Sequence, residues 1–132
     1  MHTIGNNMIL DTNALSAASF GDPAIAKVLT IQPALYVPVI VIGEYRFGIA
    51  KSTKRDMTEA WLERFLGAVN VLNIVKSTAQ HYADLYLALK QAGTPIPIND
   101  VWIAALAIEN NLPLLSRDTH FDKLPTLRRV EW

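Results

Sequence analysis

Four acidic residues, Asp11, Glu44, Asp100 and Asp118, stand at positions where carboxylates can do chemistry together. Asp11 closes the apolar run Met8-Ile9-Leu10, and Asp118 ends Ser116-Arg117-Asp118 behind Leu114-Leu115. Glu44 lies a few residues past Leu35-Tyr36-Val37, and Asp100 follows a stretch holding Pro95 and Pro97. Carboxylates crowded together oppose one another's ionisation and raise one another's pKa, so a close cluster calls for a neutralising cation. Oxygen ligands without Cys or His suit Mg²⁺ or Mn²⁺ better than Zn²⁺. Such an ion lowers the pKa of a water and holds phosphate oxygens, which is the chemistry of phosphodiester hydrolysis. Acids also cap helices and solvate strand ends, so spacing alone leaves a structural role open for each.

The elements that must position these residues alternate, which predicts an α/β class. Met8–Leu10 reads as a buried strand, residues 35–37 as a second and residues 69–75 as a third. Residues 112–115 read as a fourth strand, and residues 127–131 as a short fifth. Asp22-Pro23 offers an N-cap and a first-turn proline for a helix over Pro23–Thr30. Between residues 38 and 50 the signals conflict. Val39-Ile40-Val41-Ile42 favours extension of the strand to Ile42, whereas Pro38 suits a helix start. A helix over residues 56–69 has Asp56 and Glu59 as a capping pair and Trp61 and Phe65 at helical spacing. Another begins at a Ser77/Gln80 capping box, shows a Tyr82, Leu85, Tyr86, Leu89 face and stops at Gly93. Residues 94–98 form a loop, and Asn99 caps a helix over residues 100–110. Strands joined through helices imply right-handed crossovers and a mainly parallel sheet of four to five strands, with ligands at the strands' carboxyl ends. All four acids then fall near one sheet edge.

The 132 residues suit a single domain over 1–132, and 51% apolar against 18% charged residues marks a globular chain. Twelve basic residues balance twelve acidic ones, so any nucleic-acid role must rest on a local site and not on overall charge. The absence of cysteine excludes disulfides, thiolate metal sites and a cysteine nucleophile. No apolar run is long enough for a membrane helix and no secretory pattern opens the chain, so a cytoplasmic protein is expected. The scattered glycines exclude a phosphate-cradling loop, and Gly43 precedes no serine, which excludes a hydrolase nucleophile elbow.

Four segments in order resemble a PIN domain of the VapC kind: Met8-Ile9-Leu10-Asp11-Thr12-Asn13-Ala14-Leu15, Val41-Ile42-Gly43-Glu44, Asn99-Asp100-Val101-Trp102-Ile103-Ala104-Ala105 and Leu114-Leu115-Ser116-Arg117-Asp118-Thr119-His120-Phe121. The resemblance spans most of the chain. It implies a three-layer fold with a central parallel sheet flanked by helices, and a helical stretch after Pro38 that carries Glu44. It implies Asp11, Glu44, Asp100 and Asp118 as catalytic and metal-holding residues, with Asn13 and Ser116 supporting them by hydrogen bonds. The implied activity is Mg²⁺-dependent endoribonuclease cleavage, with Mn²⁺ as a substitute, leaving 5′-phosphate and 3′-hydroxyl ends. The implied partners are RNA, a cognate antitoxin protein and a second copy of the chain in a homodimer.

Other residues have blander readings. Asp122 and Asp84 read as solvated carboxylates, Glu59 as a cap partner, and His120 as a loop histidine facing solvent that could otherwise contact RNA. His81 sits in a helix's first turn and His2 at the terminus. Two basic groups, Arg46, Lys51, Lys54 and Arg55, then Arg117, Lys123, Arg128 and Arg129, could hold RNA phosphates or be ordinary surface charge. Trp61, Phe65, Tyr82 and Tyr86 read as core, dimer seam or partner groove. Three rival functions remain at this point: a housekeeping PIN nuclease of RNA maturation, a non-catalytic PIN-like module binding RNA or protein, and a phosphatase-like α/β domain.

Overall fold

The computed structural model describes residues 7–30 and 34–132. His2 lies outside them. Five strands form one sheet in the order β3-β2-β1-β4-β5, every neighbouring pair parallel. The strands are β1 Met8–Leu10, β2 Leu35–Pro38, β3 Asn70–Leu72, β4 Leu114–Leu115 and β5 Arg129–Val130. β1 is central and buried along its whole length, as a strand covered on both faces must be, which explains its unbroken apolar run. β3, β4 and β5 are shorter than expected, although flanking residues still take sheet hydrogen bonds, such as Ile9 N–H to the Pro113 carbonyl and Leu114 N–H to the Arg128 carbonyl.

The helices are α1 Thr12–Ser19, α2 Pro23–Thr30, α3 Val39–Ile49, α4 Arg55–Leu66, α5 Lys76–Ala92 and α6 Ile98–Glu109. The chain runs from β1 to β2 to β3 in one direction across the sheet, then returns past β1 to β4. Right-handed crossovers therefore place α1–α4 on one face and α5 and α6 on the other, giving three layers. Helix α1 touches α2, α3 and α4, α5 lies along α6, and α3 also meets α6 where Glu44 and Asn99 bond. Helix α6 is buried at Val101 and from Ile103 to Ala107, and Tyr82 of α5 stacks on Trp102 at 4.0 Å between ring centroids. Among the described residues no helix is long and apolar enough to cross a membrane.

Several local expectations need correction. Helix α1 has no counterpart in the sequence reading, because its alanines and serines carry too few large apolar positions to show a period. Residues 39–42 are helical, as the family resemblance implied and against the local strand propensity. Val41 and Tyr45 are buried one turn apart in α3, so tertiary packing outweighs β-branching. The Asp56/Glu59 capping pair does not form; Glu59 instead meets Arg46 at 3.3 Å and Arg55 at 3.6 Å. The α5 box sits two residues earlier than expected: the Thr78 hydroxyl accepts the Val75 N–H at 3.0 Å, while Ser77 donates to Glu109. Helix α6 starts at Ile98 behind Pro97, so Asn99 lies inside the first turn and does not cap it. Gly93 does end α5, with φ 70° in the left-handed region.

Candidate active site

The strand order reverses between β1 and β4, and a parallel sheet opens a crevice at such a point beyond the carboxyl ends of its strands. Asp11 leaves β1 there, and Ser116 to Asp118 leave β4 beside it. Asp11 is the N-cap of α1: its Oδ1 accepts the Thr12 N–H at 2.8 Å. Its Oδ2 accepts the Ser116 hydroxyl at 2.6 Å. Ser116 is fully buried, and its oxygen in turn accepts the Asp118 N–H at 3.0 Å and the Asn13 amide at 3.5 Å. The Asn13 carbonyl oxygen accepts the Arg117 N–H at 3.4 Å. Asn13 and Ser116 thus join the two strand ends into one hydrogen-bonded unit.

Glu44 reaches the same crevice from α3. The Thr12 hydroxyl donates to its Oε1 at 2.6 Å and the Asn99 amide to its Oε2 at 3.2 Å, which ties α3 to the starts of α1 and α6. Asp100 lies in the first turn of α6, where the helix dipole favours negative charge. Asp118 Oδ1 accepts the His120 N–H at 2.9 Å and so caps a 3-10 turn over Thr119–Lys123 that is anchored by the buried Phe121.

The electrostatics show these acids as neighbours. Burial pushes the Asp100 carboxyl up to about 6, and repulsion from Asp11, Asp118 and Glu44 adds to it, against a lowering bond to His120. Burial also raises Asp11, opposed by its bonds to Ser116 and Thr12 and reinforced by Glu44 and Asp118. The donor atoms are not equally close. Among the described residues, the one group of three His or acidic side chains with ligand atoms all within 4.8 Å of one another is Asp100, Asp118 and His120. Asp11 and Glu44 border this group with their oxygens already hydrogen-bonded. Hard carboxylate oxygens in repulsive proximity fit a divalent cation chemically.

His120 departs from its expected place. Its side chain is 47% exposed, yet Nδ1 lies 3.0 Å from Asp118 Oδ1 and 3.5 Å from Asp100 Oδ2. Thr12 and Asn99 were likewise missed as partners of Glu44; the available signal was their position directly beside Asp11 and Asp100. Of the eight residues in the two basic groups, Arg46, Arg55, Arg117 and Arg129 are committed elsewhere. Arg46 pairs with Glu59 and Glu63, Arg129 pairs with Asp122 and Glu131, and Arg117 stacks over Trp132 at 4.3 Å. Asp122 is therefore an ion-pair partner and not a free solvated carboxylate.

The family model for the PIN domain matches residues 8–127. The chain belongs to the PIN-domain family. It is similar to the VapC ribonuclease Y4jK of Sinorhizobium fredii, 30% identical over 85% of this chain and 87% of the relative. It is also similar to the ribonuclease VapC2 of Rickettsia felis, 27% identical over 80% of each chain. Among solved structures it resembles a chain of Rickettsia felis VapBC2 bound to a DNA fragment from the promoter, with TM-score 0.89, 25% identity and coverage of 96% of this chain and 98% of that one. The four-segment resemblance and the parallel three-layer arrangement expected from it thus agree with this PIN domain's fold.

Proposed function

We propose that this PIN domain, over residues 1–132, is a divalent-cation-dependent endoribonuclease, the VapC-like toxin of a toxin–antitoxin pair. The observation that carries the reading is the convergence of Asp11, Glu44, Asp100 and Asp118 from four segments on one crevice, two of them held at raised pKa. The VapC names of its relatives support RNA as the substrate. The VapBC complex among its structural neighbours supports a cognate antitoxin as partner.

Asp100 and Asp118 would hold Mg²⁺, or Mn²⁺ in its place, with Asp11 and Glu44 completing the acidic ring. A cation held there supplies positive charge to phosphate oxygens and lowers the pKa of a nearby water. Ser116 and Asn13 keep Asp11 and the Asp118 backbone at fixed separation, so the ring needs little rearrangement to work. Glu44, oriented by Thr12 and Asn99, accepts a hydrogen bond from the attacking water and aims it at phosphorus. The water oxygen bonds to phosphorus as the P–O3′ bond breaks; the water sheds one proton to solvent and O3′ takes one from solvent, leaving 5′-phosphate and 3′-hydroxyl ends. Action in the cytoplasm is part of this reading, since that is where an RNA substrate and a protein antitoxin meet. Exposed Val39, Phe47 and Ile98 near Glu44 and Asn99 support a second copy of the chain against this face.

The test is end mapping of RNA incubated with the purified chain, with Mg²⁺ or with chelator, beside an Asp11→Asn variant. Cuts that need the cation and vanish in the variant are expected. RNA left intact in Mg²⁺ and Mn²⁺, or cut equally by the variant, overturns the reading.

A further inference from the structure

We propose that His120 is itself a ligand of the cation through Nδ1, and that this nitrogen biases the site from Mg²⁺ toward Mn²⁺. The inference rests on the reading of the acidic group as a cation site. Nδ1 stands 3.0 Å from Asp118 Oδ1 and 3.5 Å from Asp100 Oδ2. In an octahedral sphere with bonds of about 2.1 Å, adjacent ligand atoms lie about 3 Å apart. His120 Nδ1 therefore stands at about the spacing of a neighbouring corner from each carboxylate, and the three donor atoms all lie within 4.8 Å of one another. Among the described residues no other trio of His and acidic groups has its ligand atoms all within 4.8 Å of one another.

Asp11 and Glu44 have both carboxylate oxygens engaged, whereas Asp118 has only Oδ1 engaged, by the His120 N–H. Both Glu44 oxygens take hydrogen bonds, from Thr12 and Asn99, and both Asp11 oxygens take them from the Thr12 N–H and Ser116. The His120 ring, by contrast, is delivered to the site by its own backbone. Its N–H binds Asp118 Oδ1 at 2.9 Å, and the next residue, Phe121, is fully buried and holds the 3-10 turn against the core. The ring's exposed edge leaves it free to make the small rotation that coordination needs. The chemistry of the donors then bears on the ion. Carboxylate and water suit Mg²⁺ and Mn²⁺ alike, whereas imidazole favours first-row transition ions, and Mn²⁺ opens that affinity series. A nitrogen at one corner thus works against Mg²⁺, which demands near-ideal oxygen octahedra.

The test is pulsed electron paramagnetic resonance of the full chain loaded with Mn²⁺, which detects a directly bound ¹⁴N nucleus without reference to activity. Nitrogen modulation is expected in the unaltered chain and in a His81→Asn control, and its loss in His120→Asn. Titration should show Mn²⁺ affinity falling about tenfold in His120→Asn, with Mg²⁺ affinity falling less. Bound Mn²⁺ without nitrogen modulation in the unaltered chain overturns the inference and leaves the nuclease reading standing. So does a His120→Asn variant that keeps the modulation, or one with an unchanged Mn²⁺/Mg²⁺ preference. No Mn²⁺ binding at all overturns both. The spectrum of the unaltered chain decides the question even if a variant fails to fold.

Discussion

The crevice has two halves built on different physics. On the β1 side, Asp11 and Glu44 have every carboxylate oxygen hydrogen-bonded to Thr12, Ser116 or Asn99. On the α6 side, Asp100 is raised to about 6 by burial and like charge, and its close polar neighbour is the His120 ring. The first half is a frame whose geometry is set by neutral donors. The second carries unbalanced charge and contains the donor atoms spaced for an ion. The contrast teaches that rigidity and charge are divided: the frame holds positions, and the open half supplies the attraction that a cation would satisfy.

The largest break in this contrast is Asp100→Asn, which removes charge from the open half while keeping shape. RNA cleavage should fall by more than about a hundredfold, beyond what loss of a supporting residue gives. The metal-free melting temperature should nevertheless rise, because a repulsive buried charge is gone. A fluorogenic RNA assay and a thermal melt on one sample check both arms; a lower melting temperature would place Asp100 in a structural role.

Ser116→Ala attacks the frame instead. It takes the hydroxyl from Asp11 and leaves the Asp118 N–H without its acceptor in a buried place, costing about 1–3 kcal/mol of stability. Divalent-ion affinity should fall about 10–100-fold, as for residues that orient ligands. Denaturant melts and calorimetric titration measure the two, and an unchanged ion affinity would separate the frame from the site.

The pH dependence tests the open half without mutation. Asp100 has a folded pKa of about 6, above its unfolded value, and Asp11 shifts the same way. Stability from these groups is fully present below the unfolded pKa near 4 and is lost as pH rises through about 6. The metal-free chain should therefore melt a few degrees higher at pH 5 than at pH 7.5, with Asp100 contributing about 1 kcal/mol of the difference and Asp11 adding in the same direction. Added Mn²⁺ should narrow that gap by stabilising the chain mainly at pH 7.5, since protons and ion compete. A metal-free melting point that rises steadily with pH over this range contradicts the charge assignment.

The smallest effect belongs to Thr12→Val, which frees one Glu44 oxygen and leaves the Asp100–Asp118–His120 group untouched. Cleavage should slow by about tenfold or less while ion affinity holds, visible as a change in kcat with little change in the titration midpoint. A large drop in ion affinity would move Glu44 into the ligand set.

Much of this arrangement was legible before the coordinates. The apolar run before Asp11, the loop before Asp100 and the Leu114-Leu115 run before Asp118 put three acids at strand ends or a helix start, and the structure brings them to one crevice. Helix α1 was invisible, because a helix can rest on a side-chain cap and small residues without showing an apolar stripe. The start of α3 was ambiguous, because Val39 to Ile42 favour strand locally and are overruled by packing. His120 looked like a surface histidine, since exposure and proximity to a carboxylate are properties of a turn's geometry and not of residue order.

By itself the sequence determined the class of fold, the order of the acids and the family to which they belong. Those depend on apolar periodicity and on residue identity at strand ends, which are properties of the chain read locally. Tertiary structure alone decided which carboxylates carry the repulsion, which are quieted by Thr12, Ser116 and Asn99, and that an imidazole joins them. Such distinctions turn on distances of a few tenths of an ångström between segments about a hundred residues apart, such as the 2.6 Å bond from Ser116 to Asp11. Packing of the sheet and its helices sets those distances, and residue order alone does not encode them in readable form.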